Sequence, residues 1–348
     1  MSRDYQGTNG EPILKIKGLS VSFETALGSV RAAEDVCFEL GEGETLALVG
    51  ETGCGKSVVA SAIMRLLPPN ASVRGRAVYA GRDLLRLSER QMADIRGSEI
   101  SIIFQNPSLA LNPIIPVAEQ IGEMLHMRKG IPLGRSIQMA WEMASRLGLS
   151  GIEKMKMFPF QFSGGMNQRV MIATSLMLSP RIIIADEPSK ALDASTAREV
   201  MAELMRIKRQ TGAALLLITH DIGLAKEISD RVAVMYCGQI VETASSRDIF
   251  SRPLHPYTEA LLSCLPERGF QSIPGVTPSM IHPPEGCRFS PRCLLKRERC
   301  NTRPEMVRIS SNGESYGSYG SGGCNGNEYD TGSIDRSVND REVRCWLY

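Results

Sequence analysis

The stretch Gly50-Glu51-Thr52-Gly53-Cys54-Gly55-Lys56-Ser57 constrains this chain more than any other. It fits G-x-x-x-x-G-K-[ST], a glycine-rich turn whose backbone N–H groups cradle phosphates. Its flanks fit as well. Leu46-Ala-Leu-Val49 reads as a buried strand, and from Ser57 to Leu67 the apolar spacing is helical until Pro68-Pro69 stops it. The chain has 32 glycines, but a chance match would not come with a strand before it and a helix after it. Strand, phosphate turn and helix together dictate an α/β fold of the P-loop type. Gly50 to Val58 then line the phosphates, Lys56 reaches the β- and γ-phosphates, and Ser57 ligates Mg²⁺.

Further apolar runs follow, at Arg181-Ile-Ile-Ile184 and Ala214-Leu-Leu-Leu-Ile218. Helical stretches separate them, notably Ala194 to Gln210, and residues 115–150 are also helix-like. Strands alternating with helices imply a largely parallel sheet, with ligands at its carboxyl edge. Two sets of polar residues fall there. Asp186-Glu187 follows the first run, where one acid can hold Mg²⁺ (Asp186) and the next can activate water (Glu187). His220 follows the second and is placed to contact a γ-phosphate. Ser163-Gly164-Gly165-Met166 opens a further helix (Val170 to Leu178) and forms a second anion-binding helix start.

Composition excludes several classes. A length of 348 residues suggests about two domains. A net charge of +2 argues against binding nucleic acid through bulk charge. No apolar run reaches the ~18 residues that span a bilayer, and the polar start MSRDYQGTNGEP is no signal segment. A cytoplasmic location follows as an expectation, with any membrane role exercised through a partner.

Taken as a set, the phosphate loop, acid pair, histidine and Ser-Gly-Gly helix resemble the ATP-binding cassette (ABC) ATPases of membrane transporters. The resemblance implies a RecA-like nucleotide-binding domain over residues 12–265 with a helical subdomain at about 106–165. It casts Ser163, Gly164, Gly165 and Met166 as the signature that completes the ATP site of an opposing subunit. It casts Gln105 as the Q-loop glutamine near Mg²⁺ or water, and Asp193, in Ala191-Leu192-Asp193, as the D-loop acid. Phe23 stands where the family stacks an aromatic on adenine, although a strand aromatic also suits a core. The signature reads FSGGM where LSGGQ is usual, and Ser189-Lys190 stands where Thr-Thr is common.

After about residue 265 the texture changes. Seven prolines between Pro266 and Pro304 prevent long regular elements, and residues 311–336, rich in Gly, Ser and Asn, read as a flexible loop. The run from Arg252 to Leu262, Ile273-Pro-Gly275 and the cysteines beyond resemble the extension of peptide and nickel importer ATPases. A small irregular cysteine-bearing domain over 266–348 is therefore expected. Cys287, Cys293, Cys300 and Cys345 suit either tetrahedral zinc or an iron–sulfur cluster. Their loose spacing and the resemblance both lean to [4Fe–4S]. Cys324 is an alternative to Cys345 as fourth ligand.

The resemblance thus implies the ATP-hydrolysing subunit of a binding-protein-dependent importer at the cytoplasmic face of the membrane, with peptides as cargo. Nickel and oligosaccharide importers are alternatives within the group. A soluble ABC ATPase acting on nucleic acid or ribosomes is the alternative outside it. The expected partners are a homologous ATPase subunit, two permeases and an extracytoplasmic solute-binding protein, with no direct nucleic acid.

Overall fold

The computed structural model describes residues 11–151, 153–190, 192–309, 315–318 and 341–348. The chain begins with a hairpin of β1 (Leu14–Thr25) and β2 (Gly28–Leu40). Then come β3 (Thr45–Val49), α1 (Lys56–Ile63), β4 (Ala71–Tyr79) and the two-residue β5 (Arg82–Asp83). The middle of the chain carries α2 (Glu89–Ile95), β6 (Ile100–Ile103), α3 (Pro107–Ala110), α4 (Val117–Lys129), α5 (Leu133–Arg146), α6 (Gly164–Leu176), β7 (Ile182–Asp186), α7 (Ala194–Thr211) and β8 (Ala214–Thr219). The remainder forms α8 (Ile222–Ile228), β9 (Arg231–Tyr236), β10 (Gln239–Ser245), α9 (Ser246–Ser251), α10 (Pro256–Ser263) and the short strands β11 (Val307–Ile309), β12 (Ser315–Ser318) and β13 (Arg341–Val343).

These elements gather into two compact units, one from residues 1–87 with 219–348 and one from 88–218. In the first, an antiparallel sheet has the order β2-β1-β4-β5, and a second set of strands runs β12-β11-β13-β10-β9-β3. Within that set β3 and β9 are parallel, in register from Leu46↔Arg231 to Val49↔Val234. All five residues of β3 are buried, as they must be in a strand covered on both faces. The extension after residue 265 belongs to this unit, and β13 pairs with both β10 and β11.

In the second unit β8, β7 and β6 are parallel neighbours. Every residue of β7 and β8 is buried. Helices α4 and α5 approach closely because Gly122 faces the backbone of Ser136, where a Cβ would stand 3.0 Å from the carbonyl. Ser136, Ala140 and Ala144, spaced by four, form the matching small-residue face of α5.

Several expectations needed correction. Ile13 to Lys17 and Ser20 to Glu24, which read in the sequence as two short β-prone runs, are one strand, β1, bulged at Gly18 (φ 58°). The helix-like stretch 115–150 is two helices, because Gly130 (φ 63°) caps α4 and Pro132 starts α5. Residues 315–318, expected as loop, pair with β11. The rest of the Gly/Ser-rich stretch, Cys324 included, lies outside the described residues, as does Ala191.

Candidate functional site

The phosphate loop belongs to the first unit. Two of its glycines, Gly50 and Gly55, are required by close approach. Gly55 (φ 106°) caps α1, and a Cβ there would stand 2.0 Å from the Ala32 carbonyl oxygen. The Gly238 N–H donates to the Cys54 carbonyl at 2.9 Å, pinning the loop to the β9–β10 turn. Lys56 is buried, and its Nζ donates to the carbonyls of Gly50 (2.8 Å) and Glu51 (2.9 Å). Burial pushes the neighbouring Cys54 thiol up, so it stays neutral and leaves the lysine charge available to an anion. Gly55→Ala should destabilise the fold by about 1–3 kcal/mol in backbone strain alone and abolish nucleotide binding, as urea titration and nucleotide titration would show. Phe23 lies on β1, half-buried, between Val30 and Ala71 on the neighbouring strands. His220 is exposed directly after β8.

The second unit holds the acids and the signature. Asp186 ends β7 and Glu187 follows it, both buried. Glu187 adopts φ 50°, a left-handed conformation rare outside glycine. Its N–H donates to the Ile218 carbonyl at 2.8 Å, which fixes the turn against β8. Strain of this kind clusters at functional sites, and the residue pattern gave no hint of it. Gln105 stands half-buried just beyond β6. Ser163 caps α6, its Oγ accepting from the Met166 N–H at 3.3 Å. Asp193 caps α7, accepting from the N–H groups of Ser195 and Thr196 at 3.1 and 3.0 Å. Ser163 to Met166 and Asp193 line one open cleft together with Lys154 and Arg169. Two helix N-termini and two basic side chains there suit an anion.

In the first unit the tail gathers its cysteines. Cys287, Cys293, Cys300 and Cys345 line one cavity with His255, Phe289 and Trp346. Burial pushes the thiols of Cys287 and Cys293 up, and that of Cys345 to about 11. His255 is fully buried, and burial pushes it down to about 3. Its Nδ1 accepts from the Tyr257 N–H at 3.0 Å, and its Nε2 has no hydrogen-bond partner. Among the described residues no group of three or more His, Cys, Asp or Glu side chains stands close enough to hold a metal ion. The expected metal centre is therefore not present as a preformed ligand set. What is present is a gathering of four free thiols around one cavity.

The ABC transporter family matches residues 33–190, which carry the phosphate loop and the acid pair. Relatives extend the match over most of the chain. The dipeptide transport ATP-binding protein DppD of Bacillus subtilis is 44% identical over 302 residues, covering 84% of this chain and 89% of that one. This chain belongs to the ABC transporter family. The oligopeptide transport ATP-binding protein OppD of Salmonella typhimurium is 41% identical, covering 86% of this chain and 91% of its own length. Residues 241–300 match the C-terminal region of oligopeptide/dipeptide transporters. Among solved structures, a dimeric ATP-binding cassette in a post-hydrolysis state, bound to ADP and Pi, has a TM-score of 0.62 at 26% identity. It covers 67% of this chain and 99% of that one. The ABC chain is accordingly an ATPase subunit, and no helix among its described residues is long and apolar enough to cross a membrane.

Reasoning from motifs missed the part of this cassette's site that comes from the tail. Tyr257, Thr277 and Arg292 all contact Glu51 of the phosphate loop. Such contacts have no local signature, because Arg292 lies far from the loop in sequence.

Proposed function

We propose that this chain is the ATP-hydrolysing subunit of an importer of di- or oligopeptides. The carrying observation is the peptide-transporter C-terminal region joined in one chain to an ABC cassette. Nickel or oligosaccharide import has no comparable support. Lys56 and the loop N–H groups bind the β- and γ-phosphates and stabilise the charge that spreads over the transferring phosphoryl group. The Ser57 hydroxyl and the Asp186 carboxylate hold Mg²⁺, with Gln105 alongside. Glu187 takes a proton from the attacking water, and His220 orients it at the γ-phosphate. Phe23 stacks on the base. Ser163 to Met166 serve the nucleotide of a homologous opposing subunit, and Asp193 stands at that interface. Two permeases receive the closing motion, and an extracytoplasmic binding protein delivers the peptide. The cassette works peripherally at the cytoplasmic face. The test is reconstitution with the permeases, binding protein and partner ATPase. Peptide should stimulate hydrolysis and accumulate inside vesicles, whereas stimulation by a non-peptide solute alone would refute the reading.

A second reading concerns the tail. Cys287, Cys293, Cys300 and Cys345 are the thiolates that hold a [4Fe–4S] cluster, and their shared cavity favours it. A single tetrahedral zinc on the same four thiolates is the rival occupant of this cavity. When bound, such a cluster supplies a one-electron centre and a crosslink among four tail segments. Anaerobic purification should yield absorbance near ~400 nm and about four irons per chain. Cys345→Ser should lose both and Cys324→Ser should keep them. Colourless protein with stoichiometric zinc would sink this reading.

A further inference from the structure

Glu51, the second residue of the phosphate loop, is gripped from outside by the C-terminal extension. Its backbone N–H donates to Tyr257 Oη at 3.1 Å. Thr277 Oγ1 donates to its Oε2 at 2.7 Å. Arg292 Nη1 stands 3.1 Å from both carboxylate oxygens. The guanidinium is itself held in place. Its Nε donates to the Pro274 carbonyl at 2.9 Å and its Nη2 to that of Ile273 at 3.3 Å, while Nη1 also meets Tyr236 Oη at 3.3 Å. The Arg292 side chain is only 5% exposed and that of Glu51 25%.

A buried arginine that simply fastens the tail would explain some of this. The tail, however, has other fasteners away from the loop. Arg288 and Arg303 pair with Glu34, the latter at 2.7 Å, and Arg344 pairs with Asp35 at 3.3 Å. All three attach to β2. Arg292 alone among these arginines reaches the phosphate loop, and it does so at a carboxylate. An unpaired carboxylate there would repel the phosphates that the loop must bind, in a partly buried setting where screening is weak.

We propose that Arg292 is a positioning residue of the ATP site. It neutralises Glu51 and holds that residue outward, so that the loop N–H groups stand ready for phosphate before nucleotide arrives. The peptide-transporter extension is thereby part of the nucleotide-binding apparatus of its own cassette.

The test uses the full chain and Mg-ATP, with affinity, KM and kcat measured beside the unfolding temperature in the absence of nucleotide. Arg292→Gln should weaken ATP about tenfold, as expected for a charge pair losing one member. The loss should fall on affinity and KM rather than on kcat at saturating ATP. Adding Glu51→Gln should restore affinity to within about threefold of wild type, because the orphaned charge is gone. Arg292→Lys keeps the charge without the fork and should fall between. Should Arg292→Gln fail to fold, the comparison of Arg292→Lys with Arg292→Lys/Glu51→Gln makes the same test. A double variant no better than its arginine parent, or affinity losses that merely follow unfolding temperature, would overturn the proposal.

Discussion

Glu187→Gln should retain ATP and lose turnover by about 10²–10⁴-fold, the range that one positioned base contributes. Glutamine keeps the size of the side chain, and the bond from the residue 187 N–H to the Ile218 carbonyl belongs to the backbone, so the turn after β7 survives. The left-handed φ of residue 187 costs glutamine much what it costs glutamate. What disappears is the basicity of the carboxylate: the amide oxygen of glutamine still accepts a hydrogen bond but does not take the water's proton. Single-turnover hydrolysis and ATP affinity, measured on one preparation, separate the two roles. If Glu187 served chiefly as a Mg²⁺ ligand, the metal dependence of ATP binding would shift. Hydrolysis near the wild-type rate would refute the assignment outright.

Arg341→Ala should cost about 3–5 kcal/mol of stability, the cost of leaving one member of a buried ion pair behind. Glu242 is fully buried and Arg341 nearly so, with Nη2 and Oε1 3.2 Å apart. Two backbone N–H groups, from Leu254 and His255, also donate to the Glu242 carboxylate at 2.8 Å. Burial nonetheless pushes Glu242 above the ordinary carboxylate range. An acid whose folded pKa is raised binds its proton more tightly in the native state than in the unfolded chain. The deficit of Arg341→Ala should therefore shrink as pH falls through that raised value and grow as pH rises. Urea titrations of wild type and variant at several pH values measure it. A deficit below about 1 kcal/mol, or one independent of pH, would contradict the pairing.

The elements legible in the chain were those whose burial leaves a local trace. β3, β7 and β8 are covered on both faces and read as unbroken apolar runs. The phosphate loop and both acids could be placed because strand ends and glycine turns are short-range features. β1 looked like two strands because a bulge at Gly18 interrupts its alternation without ending its pairing. The grip on Glu51 was illegible because Tyr257, Thr277 and Arg292 meet it only after the chain has folded back on itself. The gathering of the cysteines was half legible. Their number suggested a site, and the structure shows one cavity but not ligand distances.

The interleaving of the two units has a consequence for synthesis. The unit carrying the phosphate loop is made of the first 87 residues and the last 130, while the other unit is continuous in sequence. On the ribosome the continuous unit emerges whole and can condense first. β3 must wait for β9, its parallel neighbour, and β10 for β13. At about 5–20 residues per second β3 stands without β9 on the order of ten seconds. During that interval the nascent chain exposes the edge of β3 and its apolar surface, so chaperone dependence should centre on β3 and the phosphate loop after it, and nucleotide binding should be among the last properties the chain acquires.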